Sequence, residues 1–111
     1  MQRRKRIHEL HERFGNKPVL FTEHGVRSVH GGIMEPYRID IKTWYDGQEQ
    51  ADFMKASYEV FNVLPEWMGF LWWKWDETQN RPHYHHPDGD CGFTIQGKPA
   101  EKVFRELGVN K

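Results

Sequence analysis

The chain has 111 residues, 37% of them hydrophobic and 14% aromatic, which suits one folded domain and excludes a disordered segment. Its 16 basic and 16 acidic residues cancel, so no whole-domain charge argues for nucleic acid or a membrane surface, and the expected partner is neutral. Cys91 is the single cysteine and cannot form an intrachain disulfide. No apolar run of signal-peptide or membrane-spanning length follows the basic opening Met1 to Arg6 or occurs elsewhere. Localisation stays open, because a start further upstream would carry any leader.

In chain order, Ile7, Leu10 and Phe14 recur at helical spacing among charges, and Gly15-Asn16 supplies a left-handed stop, which predicts a helix near 2–14. The basic run Arg3 to Arg6 then reads as a solvated helix face. Val19 to Glu23 is short, apolar and bounded by Pro18 and Gly25, as expected of a buried parallel strand near 19–23. Val26 to Tyr45 holds no sustained period, is interrupted by Gly31-Gly32 and Pro36, and reads as a long loop of the kind that carries function. Asp46 and Glu49 form a capping-box-like pair ahead of Ala51, Met54, Tyr58 and Phe61, which predicts a helix near 48–63.

After Pro65, the run Trp67 to Trp75 reads as a second buried strand near 68–75. Glu77 to Phe93, rich in His, Pro, Asp and Gly, is a loop. Pro99 suits a first helical turn, Ala100, Val103, Phe104 and Leu107 form one stripe, and Gly108 is placed to end a helix near 99–107. The order helix, strand, helix, strand, helix makes two β/α units of a parallel α/β sheet with no internal linker, so residues 1–111 read as one partial unit.

In such sheets active sites collect at the C-terminal strand ends. Glu23 ends the first strand there. Alternation predicts that Val19, Phe21 and Glu23 share its inner face while Leu20 and Thr22 meet the helices, and that Trp73 and Trp75 face the site with Trp72 under a helix. A carboxylate beside an indole suits a sugar, whose C–H face packs on aromatic rings while the carboxylate attacks or stabilises the anomeric carbon.

Phe21-Thr22-Glu23-His24-Gly25-Val26-Arg27-Ser28, Glu35-Pro36-Tyr37, Gly69 to Trp75 and Phe93 to Glu101, in that order, resemble the C-terminal end of the mannanase-like glycoside hydrolases of family 113. The resemblance implies the last two β/α units, a C-terminal quarter, of a (β/α)8 TIM barrel of the large retaining clan. It implies Glu23 as catalytic nucleophile, with Trp73, Trp75, Arg27 and Tyr37 binding a β-linked glycan such as β-mannan. No cofactor and no metal are needed. The acid/base partner should end a fourth strand that is not in this sequence, since a whole barrel takes roughly 250 residues. The isolated chain is therefore expected to be inactive, and to bind the missing N-terminal barrel portion or self-associate. Where the family motif usually has an aromatic residue, this chain has Val26, and His24 follows the glutamate.

Each feature also has a plainer reading: Glu23 as a polar strand end, the tryptophans as core, Arg27 as a loop salt bridge. Two rivals stand beside the enzyme. One is a non-catalytic carbohydrate-binding or relic barrel fragment. The other is a His-rich metal-binding module built on His83, His85, His86, Asp88, Asp90 and Cys91, whose spacing matches no known site.

Overall fold

The computed structural model describes residues 2–34, 43–75 and 91–109. Five elements follow in the order α1 (Gln2–Arg13), β1 (Val19–His24), α2 (Gly47–Phe61), β2 (Trp67–Trp72) and α3 (Pro99–Val109). β1 and β2 lie side by side in parallel as a two-stranded sheet. No described helix is long and apolar enough to cross a membrane.

α1 ends as its sequence dictates. Gly15 and Asn16 take positive φ values of 75° and 61°. That geometry lets Asn16 N donate to the His11 carbonyl at 2.8 Å and Gly15 N to Glu12 at 3.4 Å, which is a Schellman closure. Ile7 is buried, but Leu10 and Phe14 are 44% and 60% exposed, so α1 rests on the sheet by its first two turns alone. The basic run does more than face solvent, because Arg4 Nε donates to the Val60 carbonyl at 3.0 Å and ties α1 to the end of α2.

α2 begins at Asp46, whose carboxylate accepts from Glu49 N at 3.0 Å. The reciprocal half of a capping box is not made. The Glu49 carboxylate turns outward to Gly31 N (3.2 Å) and Ile33 N (3.4 Å), while Asp46 N donates to the Ser28 carbonyl. The segment expected to be a featureless loop thus has structure in its described part: a turn at 30–33 and an antiparallel bridge between Val29 and Tyr45. α3 runs through Gly108 to Val109 instead of stopping there.

Two apolar clusters hold the helices to the sheet. Ala51, Met54, Ile95 and Ala100 are buried, with Phe70, Trp72, Val103 and Leu107 against them. Ile7, Phe61 and Trp67 form the second, with Val19, Phe21 and Tyr58 around it. Phe70 belongs to both and joins them. Each fully buried side chain of this size stabilises the fold by about 1.5–3 kcal/mol relative to exposure.

On β2 the faces follow the alternation read from the sequence, with Phe70 and Trp72 against the helices and Leu71 and Trp73 exposed, but on β1 they are reversed. Val19 and Phe21 pack toward the helices, Phe21 edge-on to Phe61 at 5.0 Å, whereas Leu20 is 41% exposed and Thr22 is also exposed. The pairing explains how Glu23 is nevertheless exposed on the open side. Phe21 pairs with Phe70 and His24 with Trp72, so β1 carries one more residue than β2 over that interval. The extra residue is a bulge, which lets Thr22 and Glu23 both turn outward before His24 returns to the packed layer. A second irregularity lies at the start of β2, where Leu20 pairs with Gly69 and Gly69 adopts a φ of 137°.

Candidate functional site

The site lies at the C-terminal ends of β1 and β2. β2 stops at Trp72, three residues before the predicted strand is complete, so Trp73 and Trp75 stand beyond it. Trp73 N still donates to the His24 carbonyl at 2.9 Å, extending the pairing by one bond. Gly25 lies against this junction. A Cβ added there would collide with the carbonyl oxygen of Trp73, so only glycine lets the two backbones approach this closely.

Glu23 and Trp73 line one depression of about 440 Å³, a size suited to a small-molecule site, with Arg3, His24, Gly25 and Phe93 also on its wall. A shallower hollow on the open sheet face shares Glu23 and Trp73 and continues to Leu20 and Thr22. The site therefore offers an exposed carboxylate, an exposed indole and an apolar floor.

His24 forms the inner wall. Its ring stacks on Phe53 at 4.9 Å and on Phe70 at 5.1 Å, with Trp72 edge-on at 6.1 Å. Its Nε2 is buried and has no hydrogen-bond partner among the described residues. Burial first, and then the positive charge of Arg3, lower the imidazole from its ordinary 6.5 to about 4, so it is neutral at physiological pH.

A layer of polar staples ties the exit of β1 and the end of β2 to the segment that leads into α3. Gln50 is fully buried on α2, and its amide donates to the carbonyls of Val26 (3.1 Å), Phe93 (3.2 Å) and Thr94 (3.3 Å). Trp72 Nε1 donates to the Phe93 carbonyl at 2.9 Å. Lys98, also buried, reaches Ser28 Oγ at 3.0 Å and the Gly92 carbonyl at 3.4 Å. These residues were not foreseen. Gln50 did leave a signal, since it stands one turn before Met54 on the buried stripe of α2, where a polar residue needs a partner.

Arg27 turns to the loop before α3, its Nε donating to the Cys91 carbonyl at 2.9 Å. Trp75 is 47% exposed beyond the end of β2. Val26, where the family motif usually has an aromatic residue, is buried in the wall of the depression. Tyr37 lies outside the described residues, as do His83, His85, His86, Asp88 and Asp90 of the His-rich segment. Cys91 from that segment is a half-buried free thiol.

Comparison with known proteins sets this geometry in a family. The family model of Glycoside Hydrolase Family 113 matches residues 1–98. The GH113 β-mannanase AaManA from Alicyclobacillus acidocaldarius, solved in complex with ManMIm, is 28% identical and superposes with a TM-score of 0.76 over 96% of this chain and 34% of that one. Another GH113 β-1,4-mannanase is 26% identical, with a TM-score of 0.75 over 96% of this chain and 34% of that chain. Among curated proteins, a β-glucuronidase of Streptococcus agalactiae serotype V is 24% identical over 105 residues, which is 94% of this chain and 17% of that protein. The chain thus spans about a third of the length of the solved mannanases it matches and a smaller share of the glucuronidase. With the match covering most of its residues, the chain belongs to Glycoside Hydrolase Family 113.

Proposed function

We propose that the chain forms the C-terminal quarter of a (β/α)8 barrel of a retaining glycoside hydrolase that cleaves β-linked glycans, β-mannan first among them. The observation that carries this reading is the pairing of Glu23 and Trp73 on one depression at the C-terminal ends of two neighbouring parallel strands. The β-mannanases among its structural relatives support mannan as the substrate class.

In this reading Glu23 is the nucleophile. Its carboxylate attacks the anomeric carbon, the leaving oxygen is protonated by a second carboxylic acid, and water then hydrolyses the glycosyl-enzyme with that acid acting as base. The two carboxyl groups of a retaining pair stand about 5–5.5 Å apart, so the second belongs on a strand that closes over the open face of this sheet. Trp73 offers its indole to the C–H face of the sugar ring, with Trp75 and Tyr37 extending the subsite. Arg27 acts from the rim, its guanidinium held by the Cys91 carbonyl. The mechanism uses no cofactor, and the chain by itself turns over no substrate.

A 2-deoxy-2-fluoro-mannosyl donor with a good leaving group tests the assignment, applied to the chain assembled with the rest of a barrel. Mass spectrometry should find the trapped sugar on the peptide that contains Glu23. Glu23→Ala should abolish turnover of manno-oligosaccharides while leaving their binding in place. A label on another carboxylate, or a wild-type rate in Glu23→Ala, would remove Glu23 as nucleophile.

A further inference from the structure

The bridge between Val29 and Tyr45 sets up a second cluster of chemically able side chains, away from the cleft floor. His30 N donates to the Trp44 carbonyl at 3.0 Å and Asp46 N to the Ser28 carbonyl at 2.8 Å, so His30 and Asp46 lie diagonally across a short antiparallel ladder. On such a ladder, residues two apart along a strand share a face, which turns His30, Trp44 and Asp46 to one side. The third position of α2 brings Glu49 to the same place. One ring nitrogen of His30 and one oxygen each of Asp46 and Glu49 lie within 4.8 Å of one another.

All three side chains are held by contacts that leave ligand atoms available. The imidazole of His30 stacks flat on Trp44, with centroids 4.3 Å apart and planes inclined by 9°. Among the described residues its nitrogens make no hydrogen bond, and it forms no ion pair with either carboxylate. Asp46 uses one oxygen to cap α2. Glu49 accepts one backbone N–H on each oxygen, from Gly31 and Ile33, and a carboxylate oxygen has a further lone pair. The imidazole thus stands fixed beside two carboxylates without touching them, at a separation that a shared ion closes.

We propose that His30, Asp46 and Glu49 bind a divalent transition cation of the zinc kind. One imidazole with two carboxylates is a mixed nitrogen and oxygen set suited to such ions. Ligands about 2.0–2.2 Å from a tetrahedral ion stand about 3.4 Å apart, so an ion bound here would draw together three donors that already lie within 4.8 Å of one another. The positive end of α2 opposes a cation, but its partial charge of about half a unit is smaller than that of the two carboxylates. Water would complete the coordination. The ion would clasp the 30–33 turn, whose Ile33 lines the cleft, to the N-terminus of α2, and so stiffen one rim of the sugar site without entering its chemistry.

Equilibrium dialysis against zinc tests this in the chain carrying His83→Ala, His85→Ala and His86→Ala, which removes the other concentration of imidazoles. One zinc per chain is expected. Adding His30→Ala should weaken retention at least about tenfold, and adding Glu49→Gln should do the same. His30 is exposed, so its replacement leaves the fold intact, with far-UV circular dichroism as the check. Zinc no higher inside the bag than outside would overturn the site. Retention unchanged by His30→Ala and Glu49→Gln would overturn it equally.

Discussion

His24 and Glu23 are neighbours in sequence with opposite fates: one is stacked between phenylalanines and the other is open to solvent. The low proton affinity of His24 has a consequence for acid stability. In the unfolded chain the imidazole takes up its proton near pH 6.5, and in the folded one only near 4. Between those values the unfolded state binds the extra proton, so this contribution to stability is complete above pH 6.5 and is lost as the pH falls toward 4. Allowing for screening of a partly exposed ring, the loss is on the order of 1–2 kcal/mol. His24→Phe should flatten that part of the profile, which urea midpoints between pH 7 and pH 4 would show. An unchanged slope would mean that the acid sensitivity arises elsewhere.

Among the elements, α2 carries the widest set of connections. Its buried face meets the sheet and α3, and Gln50 at its start ties the exit of β1 to the segment that leads into α3. Gln50→Leu keeps the side-chain volume but withdraws the amide from the carbonyls of Val26, Phe93 and Thr94, of which Phe93 keeps the Trp72 indole, and should cost about 1–3 kcal/mol. A urea midpoint shift equivalent to less than 0.5 kcal/mol would show that water replaces the amide without loss. The helices were legible because their stripes are long and their stops are explicit, as at Gly15-Asn16 and in Ala51, Met54 and Phe61. The faces of β2 were legible too, but those of β1 were not, because a two-residue period cannot reveal that β1 carries one residue too many between Phe21 and His24. Glu23 and Trp73 were found together by residue type and strand-end position. Gln50, Lys98 and the Glu49 contacts escaped because they reach partners far away in sequence, backbone groups for Gln50 and Glu49 and the Ser28 hydroxyl for Lys98, which no local pattern encodes.

At the scale of the molecule, the described helices cover one side of the sheet. Leu20, Leu71 and Met68 are 41%, 56% and 64% exposed, and Trp73 and Trp75 extend that apolar surface past the strand ends. Parallel sheets normally have both faces covered, and both outer edges here have free hydrogen-bonding groups among the described residues. The radius of gyration, 15.2 Å, exceeds the roughly 13 Å of a compact domain this long. The chain should therefore associate, with the remaining barrel where present and with itself otherwise. Sedimentation velocity across a concentration series should show mass increasing with concentration, and Leu71→Lys should reduce that increase. A single monomeric species at every concentration would refute the reading of this face as an interface.

The approach of Gly25 to Trp73 carries one more consequence, for how the site tolerates sequence change. The atom that a side chain at position 25 would strike is a main-chain oxygen, which every amino acid at position 73 possesses. No exchange at 73 can make room. A saturation library at positions 25 and 73, screened for soluble folded protein, should return glycine at 25 whatever stands at 73, while 73 itself varies freely. A recovered pair with alanine or a larger residue at 25 would show that the two chain segments can separate, and that the indole is positioned by something other than this contact.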